Sequence, residues 1–308
     1  MNIVVTGALG HIGSCLIRTL PDVFPHPNLV LVDSLSTQRF CSYFNLPKAA
    51  SYRLIEQSIQ TCNFDALLPN TDVLIHLAAT TDAAGSAEKP DLVFENNLTA
   101  TQIIAQACLR HNVPVIFPSS TSVYGSQSHL VDENCTELKP QSPYAECKIK
   151  EEQLLQTYAQ KGLCVAICRF GTIYGMSPGM RFHTAVNKFC WQAAMGQELT
   201  VWQTAMDQKR PYLDLSDAVN AIAWIINNNL YGNGIYNIVS GNHAVREVID
   251  HIKGKIPTLK IALVNHKIMN QLSYEVSSEK ISATGFLCQG NMAKNINETL
   301  KLLSNQLS

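Results

Sequence analysis

Tyr144 and Lys148, four residues apart, form the first candidate pair for chemistry in this 308-residue chain. Ser142 and Pro143 precede them, and serine followed by proline is a typical N-cap and first position of a helix. On one helix the two side chains lie one turn apart on the same face. A phenol with a pKa of about 10 is a poor base at neutral pH, and a nearby ammonium in a desolvated cleft favours the phenolate. Alone, this spacing arises easily by chance, and other motifs must support it.

Three glycines, Gly7, Gly10 and Gly13, follow the apolar run Ile3–Thr6 and open a helical pattern. Glycines at this spacing allow a tight turn, close backbone approach to a pyrophosphate, and close helix packing. The amides at the start of the helix, around Ile12, then face the phosphates. A bare strand-to-helix turn does not need all three glycines, so the pattern predicts a dinucleotide site.

Asp33 ends the apolar run L-V-L-V-D, about twenty residues beyond the glycines. A carboxylate at this place accepts hydrogen bonds from both hydroxyls of an adenosine ribose and repels a 2′-phosphate. It therefore favours NAD over NADP, although the nearby Arg39 works against that discrimination.

Ser120 lies in the motif P-S-S-T-S-V-Y-G, directly after another apolar run that ends at Phe117. The motif is therefore expected at the carboxyl end of the sheet, where ligands bind in this type of fold. The Ser120 hydroxyl is a candidate partner for a substrate hydroxyl or carbonyl. On its own, the motif is equally typical of a polar loop.

The elements that position these residues alternate between short apolar runs and longer amphipathic stretches, which predicts βαβ units and a parallel sheet with helices on both faces. The predicted strands are Ile3–Thr6, Leu29–Asp33, Tyr52–Glu56, Asp72–Leu77, Val113–Pro118 and Leu163–Phe170, and the clearest helices are Ile12–Leu20, Leu92–His111 and Pro143–Gln160. After Gly175 this alternation of apolar runs and amphipathic stretches changes. We expect a doubly wound Rossmann-type domain over 1–175, to which 211–240 returns, and a smaller C-terminal α/β substrate-binding cap over 176–308.

Composition indicates an ordinary globular protein, with 46% hydrophobic and 15% charged residues and a formal net charge of −1. That charge gives no reason to expect nucleic acid or membrane as a partner. The ten cysteines show no C-x-x-C pair, so they predict reduced thiols rather than disulfides or a metal site. Cys164 and Cys168 are expected on one buried strand face. With no signal peptide and no long apolar run, we expect a cytoplasmic protein.

The four motifs, in this order and spacing, resemble the extended short-chain dehydrogenase/reductase family, most closely its NAD-dependent nucleotide-sugar epimerase and dehydratase branch, of which UDP-glucose 4-epimerase is typical. The likeness extends over nearly the whole chain. Further matching motifs are H-L-A-A at 76–79, N-N-L-T-A-T at 96–101, P-Q-S-P-Y-A-E-C-K at 140–148, R-F-G-T-I-Y-G at 169–175, R-P-Y-L-D-L-S-D at 210–217 and a weaker G-F-L-C at 285–288.

The resemblance implies roles for the matching residues. Tyr144 would act as base, Lys148 would bind the nicotinamide ribose, and Ser120 matches the catalytic serine or threonine. The implied NAD site comprises Gly7, Gly10, His11, Ile12, Gly13, Asp33, Ser34, Ser58, Ile59, Leu77, Ala78, Ala79, Asn97, Ser119, Tyr144, Lys148 and Gly171. The candidate substrate contacts are Thr81, Thr121, Thr172, Arg181, Asn187 and Arg210. Among them, Arg210 matches an arginine that contacts the substrate diphosphate.

Several positions depart from the family pattern. Members that dehydrate sugars at the 4,6-positions carry an Asp-Glu pair where this chain has Thr121-Ser122, and decarboxylases carry a glutamate at Ser122. The usual R-x-x-N ends here in Thr172, an aspartate is usual at Ser58, and R-P-Y-L-D replaces the commoner R-D-F-V-H. Arg181, His183 and Asn187 are as typical of surface or packing residues as of substrate contacts.

These observations favour an NAD-dependent epimerase of a nucleotide-diphosphate sugar that works through transient oxidation to a keto-sugar. Two alternatives stay open: a net reductase or dehydrogenase with the same residues, and a nucleotide-binding protein that has lost its chemistry. The family also implies a homodimer through the helices Leu92–His111 and Pro143–Gln160.

Overall fold

The computed structural model describes residues 1–81, 90–232, 234–264 and 273–303. A parallel sheet of seven strands forms its centre. In chain order, the strands of the described part are β1 Asn2–Thr6, β2 Asn28–Asp33, β3 Ser51–Glu56, β4 Val73–His76, β5 Val115–Ser120, β6 Leu130–Val131, β7 Val165–Phe170, β8 Thr172–Tyr174, β9 Leu199–Trp202, β10 Lys209–Asp214, β11 Gly234–Ile238, β12 Gly241–Ala244, β13 Ile261–Val264 and β14 Glu275–Val276.

The order of the large sheet is β11-β7-β5-β4-β1-β2-β3, and every neighbouring pair in it is parallel. The chain therefore starts in the middle of the sheet, builds outward to β3, and then returns to build the other half from β4. The direction changes between β1 and β4, and ligands bind at the carboxyl ends of strands beside such a switch point. This confirms the predicted doubly wound parallel sheet.

Helices cover both faces of this sheet. In chain order, the helices of the described part are α1 His11–Val23, α2 Phe64–Leu67, α3 Pro90–His111, α4 Pro143–Ala159, α5 Ala185–Ala194, α6 Leu215–Asn227, α7 Val245–Lys253, α8 Glu279–Ser282 and α9 Met292–Leu303. Alternating side chains of β1 divide the core: Ile3 and Val5 pack with α1 and α6 on one face, and Val4 packs with α3 and α4 on the other. Both faces are buried, as expected for a parallel sheet.

The cap contains two smaller sheets beside the carboxyl edge of the large one. β12, β10 and β8 form a three-stranded sheet, and β13 pairs with β9. Helices α5, α7 and α9 enclose a separate apolar cluster around Phe189 and Ile296. The later strand β11 lies in the large sheet next to β7, so the chain crosses from the cap back to the central sheet. The boundary at 175 remains a prediction.

The structure confirms the predicted strands and the three predicted helices to within a few residues. All ten cysteines are free. The expectation for Cys164 is wrong, however, because β7 begins only at Val165 and leaves Cys164 exposed, whereas Cys168 is fully buried. Within the described ranges, no helix combines the length and the apolar character needed to cross a membrane.

Candidate active site

A cavity of about 710 Å³ opens at the carboxyl edge of the large sheet, between that sheet and the cap. It is lined by elements far apart in the chain, from the first glycines to Tyr274. Of the residues predicted from the sequence, those that line it are Gly7, Gly10, His11, Ile12, Gly13, Asp33, Ser34, Ser58, Ile59, Leu77, Ala78, Ala79, Thr81, Asn97, Ser119, Ser120, Tyr144, Lys148, Gly171, Thr172, Arg181 and Arg210.

The glycine turn connects β1 to α1 at one end of the cavity. Gly7 has φ +63°, and a β-carbon there would lie 2.6 Å from the backbone nitrogen of Ala78. A β-carbon on Gly13 would lie 2.5 Å from the carbonyl oxygen of Gly7. Only glycine fits both places. Gly10 caps α1 without any side-chain hydrogen bond, so the positive end of the helix faces the cavity.

The carboxylate of Asp33 is held at the end of β2 by the glycine turn itself. Its Oδ2 accepts a hydrogen bond from the backbone N–H of Leu9 at 2.9 Å, and its Oδ1 accepts one from Leu35 at 2.9 Å. Each carboxylate oxygen has capacity for a further donor. Arg39 also lines the cavity, where burial lowers its pKa and the charge of Asp33 opposes that effect. The geometry suits a ribose diol.

His11 is a polar exception in this turn. Its Nδ1 lies 2.8 Å from the hydroxyl of Ser177, which belongs to a cap loop, while its Nε2 has no hydrogen-bond partner in the part of the chain that the structure describes. Burial, followed by the charges of Arg181 and Arg39, lowers the pKa of His11 to about 3. The ring is therefore neutral at physiological pH. It links the cap loop to the turn and leaves one nitrogen for a ligand.

The middle wall of the cavity comes from β4 and α3. Asn97 is buried on α3; its Oδ1 accepts from the N–H of Thr80 at 2.8 Å, and its Nδ2 donates to the carbonyl of Thr80 at 2.9 Å. These two hydrogen bonds fix the chain after β4, which carries Leu77, Ala78 and Ala79. The hydroxyl of Ser58, at the position where the family usually has an aspartate, lies 3.1 Å from the hydroxyl of Thr61.

Tyr144 and Lys148 lie on α4, as the local sequence predicts. Ser142 accepts a hydrogen bond from the N–H of Ala145 and Pro143 occupies the first turn, so the helix begins just before the tyrosine. The Lys148 ammonium lies 5.9 Å from the centre of the Tyr144 ring. Both side chains line the cavity.

The protonation of this pair depends on its neighbours. Burial raises the pKa of the Tyr144 phenol, Lys148 lowers it, Glu151 raises it and Arg181 lowers it, with a net upward direction. Burial alone would lower the pKa of Lys148, but Glu151 and Tyr144 raise it, and the net direction is again upward. The ammonium is therefore charged at neutral pH. A bound nicotinamide ring would add a positive charge that further favours the phenolate.

Ser120 ends β5 and caps the short turn that follows. Its hydroxyl accepts from the N–H of Ser122 at 3.2 Å and lies 2.8 Å from the Ser122 hydroxyl. Both serines face the cavity. The neighbouring Ser119 donates to Glu152 on α4 at 2.5 Å, which ties the serine loop to the helix that carries Tyr144.

Cations and aromatic rings line the cap side. Arg210 and Tyr212, two residues apart on β10, each have a buried polar atom, Nε and OH respectively, with no hydrogen-bond partner among the described residues. Arg181 donates to the hydroxyl of Thr81, so the cap reaches across to the end of β4. Thr172 lies on β8, beside Tyr212 in the register of the cap sheet. Unpartnered buried donors of this kind favour an anionic ligand.

Two predicted substrate contacts lie outside the cavity wall. Thr121 is buried, donates to the carbonyl of Phe170 and contacts the hydroxyl of Tyr274. Asn187 is fully buried; its Oδ1 accepts from Gly175 and its Nδ2 donates to the carbonyl of Arg181. Tertiary packing has turned both side chains away from the cavity. Their hydrogen bonds therefore hold neighbouring backbone segments in place.

Other cavity or network residues were missed. Glu151 pairs with Lys148, His76 bonds Thr6, and Trp202 and Tyr274 line the cap side. The only signal for Glu151 was its place three residues after the lysine. Trp202 ends the four-residue strand β9 and Tyr274 directly precedes the two-residue strand β14, so neither residue stands beside a predicted motif.

The residues fit a nicotinamide dinucleotide. The turn at Gly7 and Gly13 packs too closely for any β-carbon and so presents bare backbone to the cavity, the carboxylate of Asp33 is preset for a diol, and a cation and a phenol lie at the other end. Lys148 and Tyr144 would hold the nicotinamide ribose end, and Asp33 the adenosine ribose.

Comparisons with known proteins agree with this architecture. The family model described as "NAD dependent epimerase/dehydratase family" matches residues 3–239. The chain is 31% identical to an uncharacterized UDP-glucose epimerase, YtcB of Bacillus subtilis, over 84% of each chain. It is 26% identical to a trifunctional UDP-glucose 4,6-dehydratase, epimerase and reductase of Arabidopsis thaliana over 97% of this chain, and it spans 46% of that longer protein.

A solved structure, MoeE5 in complex with UDP-glucose and NAD, superposes with a TM-score of 0.85 at 26% identity and covers 100% of both chains. The same protein in complex with UDP-glucuronic acid and NAD gives a TM-score of 0.84 and covers 99% of both chains.

Proposed function

The chain belongs to the NAD-dependent epimerase/dehydratase family, and within that family we propose that it epimerises a nucleotide-diphosphate sugar by transient oxidation. The proposal takes NAD as the cofactor, in line with the glycine turn and Asp33. It also takes a diphosphate as the substrate anchor, in line with Arg210.

One observation carries the choice of epimerisation over elimination or decarboxylation. Asp33 is the only carboxylate among the described residues that line the cavity, and it stands at the glycine turn, where it bonds Leu9. At the serine loop, where an acid-base carboxylate would be needed, Ser122 faces the cavity and Thr121 is turned inward. Removing water from a sugar needs a positioned acid and base. The described wall offers a phenol, an ammonium and hydroxyls, which suffice for reversible oxidation of a carbinol.

In this mechanism the Tyr144 phenolate accepts the proton of a sugar hydroxyl. When bound, NAD would supply reversible hydride transfer, and return of the hydride to the other face of the sugar would invert the carbinol carbon. Lys148 stabilises the phenolate, and Ser120 orients the oxygen and polarises the carbonyl of the keto-sugar. Tyr144 then returns the proton. Arg210 holds the diphosphate while the sugar turns over in the cavity.

The residues on the cap side of the cavity favour, as substrate, a UDP-sugar of the kind bound by MoeE5. Arg181 lies close enough to Tyr144 to affect its pKa, so a cation stands near the reacting end of the cavity. A cation there favours a sugar that carries a carboxylate. UDP-glucuronic acid therefore joins UDP-glucose as the first substrates to test.

A thermal-shift screen of UDP- and dTDP-sugars with NAD present, followed by product analysis of the hits, tests the proposal. We expect a sugar nucleotide to raise the melting temperature and to yield its epimer with no net change in nicotinamide absorbance. Steady formation of NADH would instead show a net dehydrogenase. A protein that neither contains NAD nor gains stability from it would refute the proposal.

We also propose a homodimer through α3 and α4, which pack against each other on one face of the sheet. Sedimentation velocity tests this directly. A mass of twice the 34.0 kDa chain supports it, and a monomer at micromolar concentration refutes it.

A further inference from the structure

Lys148 has a buried counter-ion, Glu151, that lies on the same helix one turn further on. The distance from Lys148 Nζ to Glu151 Oε2 is 3.0 Å, and the two side chains are 3% and 2% exposed. Pairs at this spacing on a helix surface are common and weak. This one is almost completely removed from water, directly behind the candidate base.

The carboxylate of Glu151 is fixed from two sides. Its Oε1 accepts a hydrogen bond from the hydroxyl of Thr101 on α3 at 2.6 Å, and its Oε2 faces the ammonium. The ammonium also lies 4.3 Å from the centre of the Phe117 ring on β5. Three elements thus determine where Lys148 Nζ stands, and Lys148 lines the cavity.

We propose that Glu151 is the positioning residue of the Tyr144–Lys148 pair: it holds the Lys148 ammonium in place and cancels part of the positive charge that Lys148 offers to the Tyr144 phenolate. The proposal rests on the proposed function only in taking Tyr144 as the base.

A purely structural role explains this pair poorly. Burying two charges costs several kcal/mol per ion, and apolar residues of similar volume often serve stability as well or better. The nearby Glu152 already provides a buried ion pair that joins α4 to the sheet. Glu151 contacts Lys148 on its own helix and Thr101 on α3, and neither contact joins α4 to the sheet.

Among the described residues, the charged or titratable groups that face the pair lie on α4, in the cap loop and on β4. On α4 these are Glu151 and Cys147, and from the cap loop Arg181 faces Tyr144. On β4, His76 is close enough to Lys148 for the ammonium to lower its pKa. Of these groups, Glu151 is the carboxylate beside the ammonium, so removing its charge leaves Lys148 uncompensated and favours the phenolate.

Titration of the Tyr144 phenolate tests this without any sugar. The near-ultraviolet absorbance of the NAD-loaded protein is followed against pH, and the same titration of Tyr144→Phe is subtracted to isolate Tyr144. We expect Glu151→Gln to move the midpoint about one pH unit lower. The matched control is Glu146→Gln, which removes the same charge from the exposed side of the same helix and should leave the midpoint unchanged.

A midpoint that is unchanged or higher in Glu151→Gln would overturn the proposal. If that variant does not fold, Glu151→Asp, which withdraws the carboxylate by one methylene, is titrated instead and must shift the midpoint in the same downward direction. Because the titration needs no substrate, a downward shift in a protein that fails every sugar assay would count against the proposed function alone.

Discussion

Glu152 on α4 and Arg169 on β7 form a buried ion pair, with Arg169 Nη2 2.7 Å and Nε 3.0 Å from the two carboxylate oxygens. Ser119 donates to the same carboxylate. Together these contacts join the helix that carries Tyr144 to β7 and to the end of β5 that carries Ser120. One carboxylate therefore positions the base and the serine loop relative to each other.

Replacing Glu152 with glutamine should lower the free energy of unfolding by about 3 kcal/mol, because it leaves the Arg169 charge buried without its partner. Urea denaturation measures this. The control is Asp65→Asn, which breaks an exposed pair with Arg110 and should leave stability nearly unchanged. Equal effects of the two variants would contradict the role assigned to the buried pair.

Tyr144→Phe should still bind NAD, with an affinity reduced by no more than about tenfold because one contact to the nicotinamide ribose is lost, and should lose at least about a thousandfold in turnover because the proton-transfer group is removed. Calorimetry with NAD and the epimerisation assay measure the two effects separately. Tyr158→Phe, near the far end of the same helix, serves as the control and should retain full activity. Substantial turnover by Tyr144→Phe would show that another group acts as the base.

Asp33→Asn should reduce the preference for NAD over NADP by about tenfold or more, because the amide no longer repels a 2′-phosphate and Arg39 then stands free to attract it. Dissociation constants for both cofactors measure this. Asp22→Asn, an exposed change on α1, should leave the ratio as it is. A ratio that stays constant in Asp33→Asn would mean that Asp33 does not read the ribose.

The sequence predicted the glycine turn and the start of α4 well because their signals are local. The spacing of Gly7, Gly10 and Gly13 and the Ser142 cap each act within a few residues of their own element. The strands of the cap were harder to predict from the sequence, because strands such as β8 and β12 are short and are joined in one sheet through β10. Which way a side chain turns at a given position was harder still.

Thr121 and Asn187 show this limit. Thr121 lies between two cavity-lining residues in the sequence and Asn187 lies two residues after one, yet packing turns both inward, where they satisfy backbone groups. Glu151 shows the reverse, since a charged residue in the run K-I-K-E-E is typical of a solvated face. Only the fold reveals that Thr101 and Lys148 enclose it.

Arg210→Ala should raise the KM for the sugar nucleotide about thirtyfold, or about 2 kcal/mol, and leave NAD affinity unchanged, because its buried Nε is the donor left for an anion. Steady-state kinetics and calorimetry test the two halves. Lys209→Ala, an exposed cation one residue earlier on β10, should change KM little. A loss of NAD affinity in Arg210→Ala would place the arginine at the cofactor instead.

His76 should make the protein sensitive to mild acid. Its Nδ1 lies 2.7 Å from the hydroxyl of Thr6, and burial, followed by the charge of Lys148, lowers its pKa to about 3. In the unfolded chain the ring has a pKa of about 6.5, so the unfolded state binds the proton that the folded state refuses. Stability attributable to this ring therefore falls as the pH drops below about 6.5, and continues to fall until about pH 3.

As the pH falls from about 6.5 to about 5, the His76 ring should lower the free energy of unfolding by about 1.5 kcal/mol. His76→Asn keeps a polar partner for Thr6 and removes the titration, so its stability should fall less over the same interval. Urea denaturation at several pH values measures the slope, and His26→Asn, at an exposed position, should keep the wild-type slope. His11, whose pKa is also about 3, adds a similar loss that persists in His76→Asn. If His76→Asn and the wild type show the same slope, the ring is protonated in the folded state and does not stand neutral beside Lys148.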